Sequence, residues 1–152
     1  MSCALRNGGF TLVEIMIVVA IIGLLAGIAI PSLARARTRA QITRVANDLR
    51  IFGDAFQQYA MIVGQFPNDT HLVLPPGMSE YINPSKWGEK ALGGNYNWEG
   101  PDYYPYAGIS LTDMSAPAEA IQQLDEICDD GNLATGGFRL TPNSRYTYIL
   151  EE

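Results

Sequence analysis

Hydrophobic positions are distributed along this chain in two incompatible ways. From Phe10 to Leu33 they run almost without interruption, and only Thr11, Glu14 and Ser32 are polar in 24 residues. From Ile42 onward they are spaced, and Ile42, Val45, Leu49, Phe52, Phe56, Tyr59 and Val63 recur at alternating steps of three and four. The first pattern predicts a helix apolar on every side, about 36 Å long and long enough to cross a hydrocarbon core of about 30 Å. The second predicts an amphipathic helix with one narrow apolar stripe, suited to docking on a sheet of the same chain. Gly64 is placed to cap the helix and Pro67 to stop it from resuming. Taken together, Phe10–Val63 predicts one rod of 54 residues, about 81 Å if straight. Pro31 lacks an amide hydrogen and clashes with the preceding turn, so a kink or break is expected near Gly27–Ile30. Gly23 and Gly27 form a G-x-x-x-G spacing that lets neighbouring helices approach closely.

Past Gly64 the pattern shortens. Asp69 to about Gly94 reads as irregular, punctuated by Pro75-Pro76-Gly77 and Asn83-Pro84. Asn95–Glu99 and Tyr106–Leu111 read as partner strands. Ala118–Cys128 reads as a short helix with Ser115 as its N-cap and Ile121, Leu124, Ile127 and Cys128 on one face. Gly137–Leu140 and Arg145–Leu150 read as a hairpin. The predicted fold is α+β: a long N-terminal helix packed on a small C-terminal antiparallel sheet with a short extra helix. Four segments follow: 1–9, 10–34, 35–64 and 65–152.

Charge divides the chain in the same way. Residues 1–52 hold six basic side chains against two acidic, a balance of +4; residues 53–152 hold four against fourteen, a balance of −10. An overall charge of −6 argues against a nucleic-acid partner, which selects a basic face. Cys3 and Cys128 are the only cysteines, and no C-x-x-C pair is present to hold zinc or run redox exchange. His71 is the only histidine, and it lies in a Pro-rich loop that predicts solvent exposure. No nucleophile with a base, no metal triad and no phosphate loop is found, so an enzyme is not expected.

Glu14 is the anomaly of the apolar run. A carboxylate costs about 2.5 kcal/mol or more deep in lipid, and an ionisable group there calls for a partner. Gly8-Gly9 stands just before the run, within reach of a protease at the membrane face. Cutting after Gly9 would free the amine of Phe10, one cation four residues from one anion, and adjacent staggered subunits would pair the two better than a single helix does.

These residues, Gly9 followed by Phe10-Thr11-Leu12-Val13-Glu14 and an unbroken apolar helix with Pro31 near its far end, resemble the processing site of type IV prepilins and type II secretion pseudopilins. The resemblance covers about residues 6–34 and extends to the expected fold. It implies a prepilin peptidase that cuts after Gly9 and methylates Phe10. It also implies that Glu14 contacts the N-terminus of a neighbouring copy, and that Phe10, Glu14 and Pro31 serve assembly. The partners it implies are that peptidase, other copies and related pilin-like subunits, membrane lipid and an inner-membrane assembly platform. The implied location is the bacterial inner membrane before assembly, with the C-terminal domain periplasmic or extracellular, and the filament afterwards.

Several readings stand beside it. Small residues at Ala26-Gly27-Ile28-Ala29 also suit cleavage of a secretory signal. An uncut single-span anchor with a binding domain is another, and Arg35, Arg37 and Arg39 after the span favour a cytoplasmic C-terminal side, the reverse of the family's orientation. Within the family, the compact length, Phe66-Pro67 and the absence of a disulfide loop favour a secretion pseudopilus over a surface pilus. Cys3 lies in the leader, so no bridge to Cys128 survives processing.

Two further groups are weighed. Asp125, Glu126, Asp129 and Asp130, with Asn132 nearby, can collect oxygens for calcium; the spacing is not that of an EF-hand, and Asp129-Asp130-Gly131-Asn132 is also an ordinary turn. No other cofactor is expected. Trp87, Tyr96, Trp98, Tyr103, Tyr104 and Tyr106 suit either core packing or a carbohydrate or surface-adhesion patch.

Overall fold

The computed structural model describes residues 10–152, so the leader, with Gly9, lies outside the described residues. The first long element, α1, is Leu12–Val63. The chain falls into two compact units that divide within α1, between Arg37 and Thr38.

In the first unit the described residues are helical from Leu12. Every large hydrophobic side chain from Phe10 to Leu33 is at least 50% exposed, because an all-apolar helix this long finds nothing of its own unit to pack on. The expected break at Gly27–Ile30 does not occur. Helix is continuous through Pro31, whose ring removes one backbone hydrogen bond without ending a helix of this length.

The second unit has a conventional core. Ile42, Val45, Leu49, Phe52 and Phe56 are buried, whereas Val63 is exposed; the predicted stripe therefore ends at half-buried Tyr59, where the helix outruns the sheet. Gly64, at φ 89°, donates its amide to the Ala60 carbonyl at 2.8 Å and ends the helix in the left-handed region that favours glycine.

The stretch read as irregular contains a 3₁₀ turn, Met78–Glu80, and a one-turn helix α2, Pro84–Trp87. Asn83 caps α2 by accepting the Ser85 amide at 2.9 Å, with Pro84 at the first helical position. This is the usual pairing of a capping Asn with an N1 proline. Both pieces deliver buried side chains, Met78 and Trp87.

Four strands follow: β1 Asn95–Glu99, β2 Ala107–Thr112, β3 Phe138–Leu140 and β4 Tyr146–Glu151. The last three begin one residue later than the spacing predicts. Helix α3, Ala118–Cys128, falls between β2 and β3 as predicted. Its N-cap is Pro117, with no side-chain capping bond, so Ser115 does not cap it. The sheet is antiparallel in the order β1-β2-β4-β3.

Alternation along the strands sorts their side chains to two faces. Tyr96, Trp98, Ile109, Leu111 and Phe138 join the core with α1. Trp98 stacks on Phe56 with centroids 3.8 Å apart and planes at 4°, and Phe52 meets Tyr96 edge-on at 5.0 Å. The aromatic group therefore mostly packs the domain: Trp87, Tyr96, Trp98 and Tyr106 are buried, and Tyr103 is exposed. Asn97, Glu99, Ser110 and Thr147 alternate with the core residues and are buried as well, forming a polar layer behind the sheet.

Candidate functional site

At the start of α1, the Thr11 hydroxyl accepts the Glu14 amide at 3.2 Å and donates to Glu14 Oε2 at 2.9 Å. The Thr11 amide donates to the same oxygen at 2.8 Å. This is a capping box, which satisfies helix-end donors reciprocally; the Thr-x-x-Glu spacing is the signal for it, and sequence reasoning passed over it. The Glu14 carboxylate therefore already has local partners, at the helix end where the peptide dipoles favour negative charge. Phe10, one residue before the capping Thr11, is 84% exposed. Pro31 lies well inside the helix and meets neither Glu14 nor Phe10. Ser32 next to it donates its hydroxyl to the Ala29 carbonyl at 2.9 Å, using an acceptor of its own helix.

The acidic loop is built differently from its sequence prediction. Ile127 is exposed, and Asp125 takes its place on the inner face of α3, fully buried. Neither Asp125 carboxylate oxygen has a hydrogen-bond partner. Ligand oxygens of Asp125, Asp129 and Asp130 lie within 4.8 Å of one another. Burial, then the Asp130, Asp129 and Glu126 charges, push the Asp125 carboxyl up to about 6. Asp129 is fixed by the Gly137 amide at 2.5 Å. Asp130 accepts the Asn132 amide at 2.7 Å and the Thr135 hydroxyl at 3.1 Å. Asn132 turns its Oδ1 to the Ala134 amide at 3.2 Å. A buried carboxylate with empty lone pairs beside two more acids suits a hard divalent cation, which takes oxygen ligands.

Glu99 is the second fully buried carboxylate, and its environment is the opposite. It accepts from the Tyr106 hydroxyl at 2.8 Å, Asn143 Nδ2 at 2.7 Å, the Thr147 hydroxyl at 3.1 Å and Arg145 at 3.1 Å. Every donor comes from elsewhere in the domain, so a buried charge is compensated as burial demands. Cys128 is a half-buried free thiol and His71 is exposed.

Comparison with known proteins covers only part of the chain. Residues 5–30 match the model of the prokaryotic N-terminal methylation motif. The chain is 51% identical over 45 residues to the type IV major pilin protein PilA of Myxococcus xanthus, covering 30% of this chain and 20% of that protein. It is 36% identical over 62 residues to the type II secretion system core protein G of Klebsiella pneumoniae, covering 41% and 44%. It is 44% identical over 59 residues to the type IV major alpha-pilin of Moraxella bovis, covering 39% and 36%. The chain thus spans less than half the length of each of these relatives. No solved structure matches.

Proposed function

We propose that this chain, whose N-terminal segment resembles those of type IV pilins and a type II secretion protein, is a non-catalytic subunit of a pseudopilus-like secretion filament. The observation that carries the reading is the first unit itself: a helix long and apolar enough to cross a membrane and unburied along that stretch, with Phe10 just before it and a capped Glu14 in its first turn. Lipid covers such a helix before assembly, and other copies of the same helix cover it afterwards. Removal of residues 1–9 by a prepilin peptidase frees the Phe10 nitrogen as a cation. Glu14 of a neighbouring subunit is then its counterion, and the pair sets axial register in a low-dielectric surrounding where a lone carboxylate is costly. An inner-membrane platform feeds subunits in, with the acidic domain on the far side of the membrane. A surface pilus subunit is the second reading, favoured by the pilin relatives.

The acidic loop holds a calcium ion in this reading, with Asp125, Asp129 and Asp130 as carboxylate ligands and Asn132 as a neighbour that shapes the turn. Two orphaned oxygens on a buried Asp125 support it. The ion would neutralise the loop and tie the end of α3 to the segment before β3.

Intact mass and N-terminal sequencing of the protein from membranes test the main reading. Loss of residues 1–9 with one added methyl on Phe10 is the expected result. An intact Met1 overturns it in favour of an uncut anchored domain, and a start near Ile30 in favour of a secreted one.

A further inference from the structure

Every basic side chain in residues 1–52 is an arginine, and the fold treats these arginines in two ways. Arg44 pairs with Glu89 at 2.6 Å and Arg50 donates to the Ile127 carbonyl at 2.5 Å, so both are engaged within the domain. Arg35 and Arg37, the first cations after the apolar run, are exposed and have no ion-pair partner among the described residues. Nothing in the assembly reading uses them.

Position, direction and charge narrow what the two meet. Leu33 is the last large apolar side chain of the run, and Arg35 stands two residues beyond it, a rise of about 3 Å. With lipid covering the run up to Leu33, both guanidinium groups reach the depth of the headgroup phosphates. Helix α1 is continuous through both residues, and at about 100° per residue their side chains leave it about 200° apart. One face of a protein partner reaches only one of them, whereas a headgroup layer surrounds the helix and reaches both. No Asp or Glu occurs between Glu14 and Asp48, so neither charge is answered by a residue three or four places away.

The chemistry of the pair selects among lipids. A guanidinium presents a planar fork of donors that matches two phosphate oxygens at once, which an ammonium does not. Residues 53–152 hold four basic side chains against fourteen acidic, a balance of −10, and an anionic surface repels that charge. A preference of this chain for anionic lipid therefore has to come from the cations that precede residue 53. We propose that Arg35 and Arg37 bind the phosphates of anionic phospholipid headgroups, of the phosphatidylglycerol type, from opposite sides of α1. The inference rests on the membrane-inserted reading above. Arg39, two residues on, belongs to the second unit, where it lines a cleft with Thr43 and Gln123.

For the test, the full chain is reconstituted into phosphatidylcholine vesicles carrying a trace of spin-labelled phosphatidylglycerol or spin-labelled phosphatidylcholine. Electron paramagnetic resonance reads the motionally restricted fraction of each label. Phosphatidylglycerol is expected at the protein boundary with about threefold preference over phosphatidylcholine, and high salt should lower that preference. Arg35→Gln with Arg37→Gln should remove most of it. Lys86→Gln with Lys90→Gln, which deletes the same charge from the domain, should keep it. Equal fractions of the two labels in the parent chain overturn the proposal, as does a preference that the arginine variant retains or the lysine variant loses equally. Loss of self-association in the arginine variant, with its lipid preference unchanged, overturns it in favour of the acidic domain of a second copy. A chain that fails to float with the vesicles overturns the membrane reading and this inference together; a chain that floats without the preference overturns this inference alone.

Discussion

The two stretches of α1 on either side of Arg37 make the most informative comparison in the molecule. Both are helical and both are rich in Ile, Leu and Val. In residues 38–63 Ile51, Ile62 and Val63 are exposed, and the hydrophobic side chains that recur at three and four from Ile42 to Phe56 are buried in the domain core. In residues 12–37 they follow one another, and the protein supplies nothing to cover them. Helical periodicity in a sequence thus marks where a fold provides its own burial. Its loss marks where burial must come from lipid or from other copies.

The strongest test of that contrast is Glu14→Ala. Membrane insertion and processing should be spared, while filament yield falls to background in sheared-fibre immunoblots. Normal polymerisation would mean that the first stretch needs no charge for register. Next in size is Phe56→Ala, which removes the ring stacked on Trp98. It should destabilise the domain by about 3–5 kcal/mol, read from urea unfolding by tryptophan fluorescence. Leu24→Ala, in the uncovered stretch, should leave the same transition in place.

A smaller effect is expected at Asp125. Its carboxyl is raised to about 6 in the fold against about 3.9 in an unfolded chain. The folded state therefore holds the proton more tightly, and stability should fall as pH rises from about 4 through 6, by roughly 3 kcal/mol. Asp125→Asn should flatten that slope, and millimolar calcium should restore the loss at pH 7 in the parent chain only. Thermal unfolding across pH, with and without calcium, measures both. The smallest effect belongs to the exposed pair of Arg139 and Glu152, 2.7 Å apart: Arg139→Ala should cost less than about 1 kcal/mol in the same urea assay.

Local rules made much of this fold legible. The α1 stripe follows from spacing alone, and α3 begins and ends where its pattern does. The capping box is equally local, as Thr11 and Glu14 stand three apart and the same carboxylate that breaks the apolar run completes the cap. Asn83-Pro84 punctuates the chain and also starts α2, and the two roles share one signal. The buried carboxylates were a different matter. Glu99 sits in a strand pattern like any exposed acid, and three of its partners, Asn143, Arg145 and Thr147, are 44 to 48 residues away. Asp125 differs from Ile127 by which side of a short helix the loop covers, a choice made by tertiary packing rather than by period.

Cys128 offers a consequence of another kind. Burial pushes its thiol up to about 11, with Arg50 opposing and the Asp125 and Asp129 charges adding to the rise. At neutral pH only about one molecule in ten thousand carries the reactive thiolate. Alkylation of the intact fold is therefore slow, and it quickens whenever the end of α3 lifts from its packing. In a chain shortened to Phe10, Cys128 is the single cysteine left. Each chain then carries one built-in stopwatch, and its alkylation rate records how often the C-terminal domain breathes.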